Sequence, residues 1–108
     1  MYSDELLTPW LSGLAERMPG LRLFDSHTHL GRNDPDGWRC APDELTGALA
    51  LAGARAAVFP LMEPEGYRAA NDAVLAAAEA SGGRLVPFCR VNPAVEPVRE
   101  LERCLAAG

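Results

Sequence analysis

His27 and His29 are the only histidines in the chain, and a single residue separates them. They close the stretch Leu21-Arg22-Leu23-Phe24-Asp25-Ser26-His27-Thr28-His29-Leu30-Gly31, which reads as a short buried strand that turns at a glycine. Side chains two apart on a strand point to the same side, so the imidazoles lie next to one another, roughly 7 Å apart along the backbone, with Asp25 on their face. Two imidazoles placed this way chelate one divalent cation, and imidazole suits Zn, Fe, Ni and Cu. Zinc is the expected ion. A catalytic zinc takes three protein ligands and a water, so this pair supplies two of them. Asp25 is expected to act as an acceptor that orients the ligating rings from behind, or as a support for the strand. A metal held here would acidify its bound water and polarise a carbonyl oxygen.

Those residues need a scaffold, and the hydrophobic pattern describes one. Leu7, Trp10, Leu11, Leu14 and Met18 recur at helical spacing between Ser3 and Met18, with Ser3 or Thr8 as N-cap, Pro9 as a first helical residue after Thr8, and Pro19-Gly20 as the stop. This helix is expected to cover an end or side of the core. The first strand runs from about Leu21 to Thr28, followed by the polar loop Gly31–Trp38, whose Asp34 and Asp36 suit either function or a solvated turn. A helix starts near Pro42 with Asp43 and Glu44 in its first turn, buries Leu45, Leu49 and Ala52, and stops at Gly53. Ala56–Leu61 forms a second strand, and a helix from Tyr67 to Ala80 turns Tyr67, Ala70, Val74 and Ala77 inward. Leu85–Val91 forms a third strand, and a last helix from Pro97 carries Leu101, Cys104 and Leu105.

The order is one helix and then three βα units, which implies a parallel sheet. Residues 1–20 form an N-terminal helical extension, and residues 21–108 the three units. A weak repeat supports this: Ala52–Pro60 and Gly82–Phe88 each pair a helix stop and an arginine with a strand holding an interior proline. The fold class expected is α/β, the N-terminal portion of a TIM-like (β/α)8 barrel, which takes ~250 residues when complete. An open flavodoxin-like sheet would want a glycine-rich turn leading directly into a helix, and here a long Asp-Pro loop follows instead.

In a barrel the reacting groups stand at the carboxyl ends of the strands, where His27 and His29 lie. The other strand ends offer Glu63, Arg90 and Asn92 as substrate-binding candidates. Arg90 and Asn92 share a face of the third strand above Val86 and Phe88, and the planar fork of Arg90 suits a substrate carboxylate. For each of these residues a structural hydrogen bond or salt bridge is the competing role.

The 108 residues, 48% hydrophobic and 23% charged, suit one domain with a single core. The formal charge of −5 and scattered basic residues, every one an arginine, argue against nucleic acid as a partner. With no lysine, a Schiff-base or metal-bridging lysine is excluded within this stretch. Cys40, Cys89 and Cys104 are odd in number and lack CxxC spacing, so free thiols in a cytoplasmic protein are expected, a zinc role for Cys40 or Cys89 being the alternative. No run reaches the ~18–20 apolar residues of a membrane span. Exposed sheet edges make self-association or a homo-oligomer an expectation.

Phe24-Asp25-Ser26-His27-Thr28-His29-Leu30-Gly31 resembles the strand-one signature of the amidohydrolase superfamily, metal-dependent hydrolases on TIM-like barrels. The stretch Ala52-Gly53-Ala54-Arg55 to Pro60, Asn71, Gly83–Phe88 and Arg90-Val91-Asn92-Pro93 are similar to its amidohydrolase-related branch, which includes decarboxylases similar to aminocarboxymuconate semialdehyde decarboxylase. The resemblance spans about residues 21–108. It implies His27 and His29 as metal ligands, a small-molecule substrate, and cleavage of a C–N, C–O or C–C bond. It also implies further ligands and a catalytic aspartate on strands beyond Gly108, so turnover is expected of the parent enzyme and not of these 108 residues alone. TatD-type deoxyribonucleases and the polymerase and histidinol phosphatase family also open with His-x-His after a strand; the acidic chain and the third strand favour the amidohydrolase reading. A non-catalytic, self-associating α/β module is the alternative from a different class.

Overall fold

The most apolar run of the chain becomes the middle strand of a parallel sheet. In the computed structural model, which describes residues 4–108, the elements follow the order α1 (Asp4–Arg17), β1 (Leu23–Leu30), α2 (Pro42–Leu51), β2 (Ala54–Pro60), α3 (Arg68–Ala80), β3 (Leu85–Pro87) and α4 (Pro97–Ala107). The strands lie in the order β1-β2-β3, both pairs parallel. The described chain is therefore an α/β fold in which each strand is followed by a helix, as the pattern required.

Alternation along β2 divides the two faces of the sheet. Ala54, Ala56, Val58 and Pro60 are buried, and the first three join Leu30, Leu49, Val74, Ala77, Ala78 and Leu85 in one core beneath α2 and α3. Arg55, Ala57 and Phe59 alternate with them and turn toward the opposite face, on which no described helix packs closely. Leu45 and Ala52 pack against the core as expected, and Gly53 closes α2 with a φ of 61°. Glu44 accepts the N–H of Ala41 at 2.8 Å, which satisfies one of the free donors at the start of α2. On α3 the inward face is set by Asn71, Val74, Ala77 and Ala78, so a buried asparagine stands where Ala70 was expected.

The arginines of the repeat act at the amino ends of the strands. Arg84 donates to the carbonyls of Ala54 (2.9 Å) and Leu49 (3.4 Å), and Arg55 donates to Gly83 (2.9 Å). They join the end of α2, the start of β2 and the turn before β3, far from the strand ends where chemistry is expected.

Three expectations need correction. α1 runs through Thr8 and Pro9, so neither starts it; Ser3 lies outside the described residues. Nor does α1 cover the core: Leu7, Leu11, Leu14 and Met18 remain exposed, and Trp10 is 79% exposed. The third correction concerns β3, which ends at Pro87 rather than Val91. The ladder runs from Ala56 N–H to Arg84 O (3.0 Å) to Phe88 N–H on Val58 O (2.8 Å). The next rung would need an N–H on Pro60 for Phe88 O, which proline lacks, and the one after it would join Arg90 N–H to Pro60 O. Asn71 Oδ1 takes that N–H instead, at 2.9 Å, and the strand stops. Arg90 and Asn92 consequently do not share a strand face.

Candidate metal site

The register of β1 is what puts both imidazoles on the open face of the sheet. Asp25 pairs with Ala56 and Thr28 pairs with Val58, so Ser26 and His27 both stand opposite Ala57. This is a β-bulge, one extra residue in one strand, which sharpens the local twist and inverts the alternation beyond it. Thr28 Oγ1 donates to Ala57 O at 2.6 Å across the bulge. Downstream, His29 is in register with Phe59 and Leu30 with Pro60. Asp25 is in register with Thr28 and Leu30 rather than with His29, and its Oδ1 accepts the backbone N–H of His27 at 3.0 Å. The carboxylate thus braces the bulge, where alternation alone had put it beside the rings.

The imidazole Nε2 atoms of His27 and His29 stand 3.0 Å apart. Both rings meet Phe59 edge to face, with centroids 4.9 and 4.4 Å away, so the phenyl ring of the middle strand fixes them from below. His29 is half-buried and its Nδ1 lies 3.3 Å from Pro60 O; His27 is exposed. A carbonyl at Nδ1 calls for Nδ1–H, so His29 Nε2 accepts the ring-to-ring bond from His27 Nε2–H, and a metal would take both lone pairs once His27 moves its proton to Nδ1. With Zn–N bonds of 2.0–2.1 Å, an Nε2 separation of 3.0 Å corresponds to an N–Zn–N angle of about 94°, and opening it by about 0.3 Å gives the tetrahedral value. The pair therefore fits two adjacent positions around one ion. Among the described residues no group of three or more His, Cys, Asp or Glu side chains surrounds a common point.

The three substrate-binding candidates are placed differently. Arg90 reaches the histidines indirectly: its Nη1 donates to Pro60 O at 3.2 Å, the same carbonyl that faces His29, and its guanidinium lies 5.2 Å from the Tyr67 ring centroid. Glu63 accepts from Asn33 at 2.9 Å, and Asn92 Oδ1 accepts Ala94 N–H at 3.0 Å in a local turn. Both line an open cleft of about 1130 Å³ beyond the carboxyl ends of the strands, with Gly31, Asn33, Tyr67 and Arg99. That is where ligands of parallel sheets bind. The histidines and Arg90 are not in its lining. Asp34 ties the loop after β1 to the segment after β2, accepting Asp36 N–H (2.9 Å) and Met62 N–H (3.2 Å). Gly31 must be glycine there: its φ is 156°, and a Cβ would stand 2.9 Å from Leu61 Cβ.

No protein-family model matches the chain, and neither does a curated protein or a solved structure. The functional reading therefore rests on these residues.

Asn71 entered the reading of the sequence only as part of the family resemblance, and its network was not anticipated. The fully buried amide donates to Arg90 O and Glu100 Oε1, each at 2.9 Å, while accepting Arg90 N–H. Glu100 also takes two bonds from Arg103, at 2.9 and 2.8 Å, and Arg103 reaches Asp72 at 2.6 Å. Hydrogen bonds from Arg103, then from Asn71, pull the Glu100 carboxyl down to about 2. Beyond that resemblance, the signal was a polar residue on the apolar stripe of α3. Cys40, Cys89 and Cys104 are free thiols. Burial, then Glu44 and Asp43, raises the Cys40 thiol, and burial, then Glu100, pushes Cys104 up to about 11. Neither is poised to act as a thiolate.

Proposed function

We propose that this chain supplies the opening corner of a divalent-metal site in an enzyme of the amidohydrolase superfamily, from its amidohydrolase-related branch. On this reading the three βα units are the first part of a TIM-like barrel, and the open face of the sheet is its interior. His27 and His29 hold the ion, zinc by preference, at the carboxyl end of β1. The ion's chemistry is to activate water or polarise a carbonyl in a C–N, C–O or C–C bond of a small molecule. The residues of the chain do the rest: Phe59 fixes the two rings, Pro60 O sets the orientation of His29, and Asp25 holds the bulge that turns both imidazoles to the open face of the sheet. Glu63 and Asn92, lining the cleft, are the candidates for substrate contacts. The carrying observation is the pair of Nε2 atoms 3.0 Å apart, with a carbonyl behind one ring.

The test is a titration of the purified 108-residue chain with cobalt(II), followed by its d–d absorption and by calorimetry. One ion per chain is expected. His27→Ala or His29→Ala should each weaken binding by at least about tenfold, since each removes one of two protein ligands. Equal affinity in the wild type and the double variant would rule the site out.

A second reading, a self-associating α/β module, is favoured by the surface of the molecule. Trp10 is 79% exposed, Phe24 52% and Phe88 55%, and the outer edges of β1 and β3 have no partner strand among the described residues. Monomers rarely leave such apolar area in water, and free edges invite pairing. Light scattering across a concentration series should then show dimers or larger species that weaken with Trp10→Glu. A monomer at every concentration would dismiss this reading.

A further inference from the structure

Pro60 O links Arg90, which is held from the α3–α4 layer, to the histidine pair. By the register of the β2–β3 ladder this carbonyl is due the N–H of Arg90. Asn71, projecting from α3, withdraws that N–H and also holds the Arg90 carbonyl, so both backbone polar groups of Arg90 are bound to one buried side chain. The rung left vacant is filled by the same residue's side chain: Arg90 Nη1 lies 3.2 Å from Pro60 O, with the guanidinium over the Tyr67 ring. The carbonyl's other neighbour is His29 Nδ1 at 3.3 Å.

We propose that Arg90 is a positioning residue, held by Asn71, which fixes the Pro60 carbonyl so that His29 keeps its proton on Nδ1 and presents Nε2 toward His27. The alternative role, a substrate-binding arginine, fits less well. The guanidinium's recorded partners are a backbone carbonyl and an aromatic face, and it does not line the cleft. A guanidinium is suited to the task because its charge makes the bond to the carbonyl stronger than an amide N–H would, and its planar fork is ordered by stacking on Tyr67. A carbonyl oxygen has two lone pairs, so it accepts from the arginine and the imidazole N–H at once. The device places a bound, oriented acceptor behind His29 where an ordinary strand end would leave a mobile one.

This inference rests on the metal reading only for its purpose; the tautomer is a property of the metal-free protein. Nitrogen-15 spectra of that protein, recorded above the imidazole titration range, should show His29 mainly as the Nδ1–H form. Arg90→Met, which retains an apolar stem over Tyr67 and removes the donors, should shift the tautomer ratio at least about twofold toward Nε2–H, since the His29 bond remains and only the fixed orientation of its acceptor is lost. Arg90→Lys, which restores a donor, should recover part of that shift even if the methionine variant folds poorly. In the cobalt titration Arg90→Met should weaken binding roughly tenfold, as loss of a partner behind a ligating histidine does. A wild-type His29 found as Nε2–H overturns the proposal, as does a ratio that neither variant moves by twofold. A chain that binds no cobalt but shows the predicted tautomers defeats the metal reading and leaves Arg90's role standing.

Discussion

Asn71→Ala is expected to lower the free energy of unfolding by about 3 kcal/mol, a large part of the 5–15 kcal/mol typical of a domain. The side chain is 1% exposed, and each of its polar atoms is engaged: Nδ2 with Arg90 O and Glu100 Oε1, Oδ1 with Arg90 N–H. Alanine removes three hydrogen bonds and leaves the N–H and C=O of Arg90 without their partner, at about 1–3 kcal/mol for each group that finds no other. One route offsets part of that loss. Arg90 N–H can return to Pro60 O and extend β3 by a rung, which places the estimate nearer 3 than 5 kcal/mol. Asn71→Asp should be worse, since it keeps the acceptor but loses both donors and sets a carboxylate against Glu100. Urea unfolding of the three proteins checks the ranking. A loss below about 1 kcal/mol for alanine would mean that the amide is not what binds α3, α4 and the end of β3 together.

The same residue shows where reading the sequence reached its limit. The βα alternation, the position of α2, α3 and α4, and the parallel sheet were legible because each rests on local periodicity and local stops: Pro42 and Gly53 around α2, Ser81–Gly83 after α3, Pro97 at the start of α4. The His-x-His pair was legible for the same reason. Asp25 was placed wrongly because alternation assumes an unbroken ladder, and nothing in Asp25-Ser26-His27 announces that two residues will face Ala57. β3 was drawn too long because Leu85–Val91 is apolar enough for a strand. What ends it is Pro60 on the facing strand, which has no N–H to donate, together with an asparagine 19 residues from Arg90, whose other partner, Glu100, is 29 residues from it. α1 was assigned to the core on its amphipathic pattern alone. That pattern says that a face wants burial and says nothing of what buries it, and in this chain Leu7, Leu11, Leu14 and Met18 stay in water.

Acid should find the molecule's weak point at Glu100. Arg103, then Asn71, hold this carboxyl at about 2, against an ordinary value of 4.5, so the charged form is what the fold requires. The sign follows from proton binding: below pH 4.5 the unfolded chain takes up a proton here that the folded chain refuses, so each step down in pH favours unfolding until pH falls through about 2. The contribution is complete above 4.5 and gone below 2. Its size is kept to about 1–2 kcal/mol because Arg103 is partly open to solvent and screened there. Glu100→Gln separates this carboxylate from the other acids that titrate in the same range. At neutral pH the variant should be less stable by about that amount, since glutamine still accepts from Asn71 but offers Arg103 no charge. As pH falls from 4.5 toward 2 the gap should close, because the wild type loses what the variant never had. The absence of a gap at any pH would show that the bond to Asn71, which glutamine keeps, and not the charge held by Arg103, is what Glu100 contributes. The network would then work as neutral packing between α3 and α4.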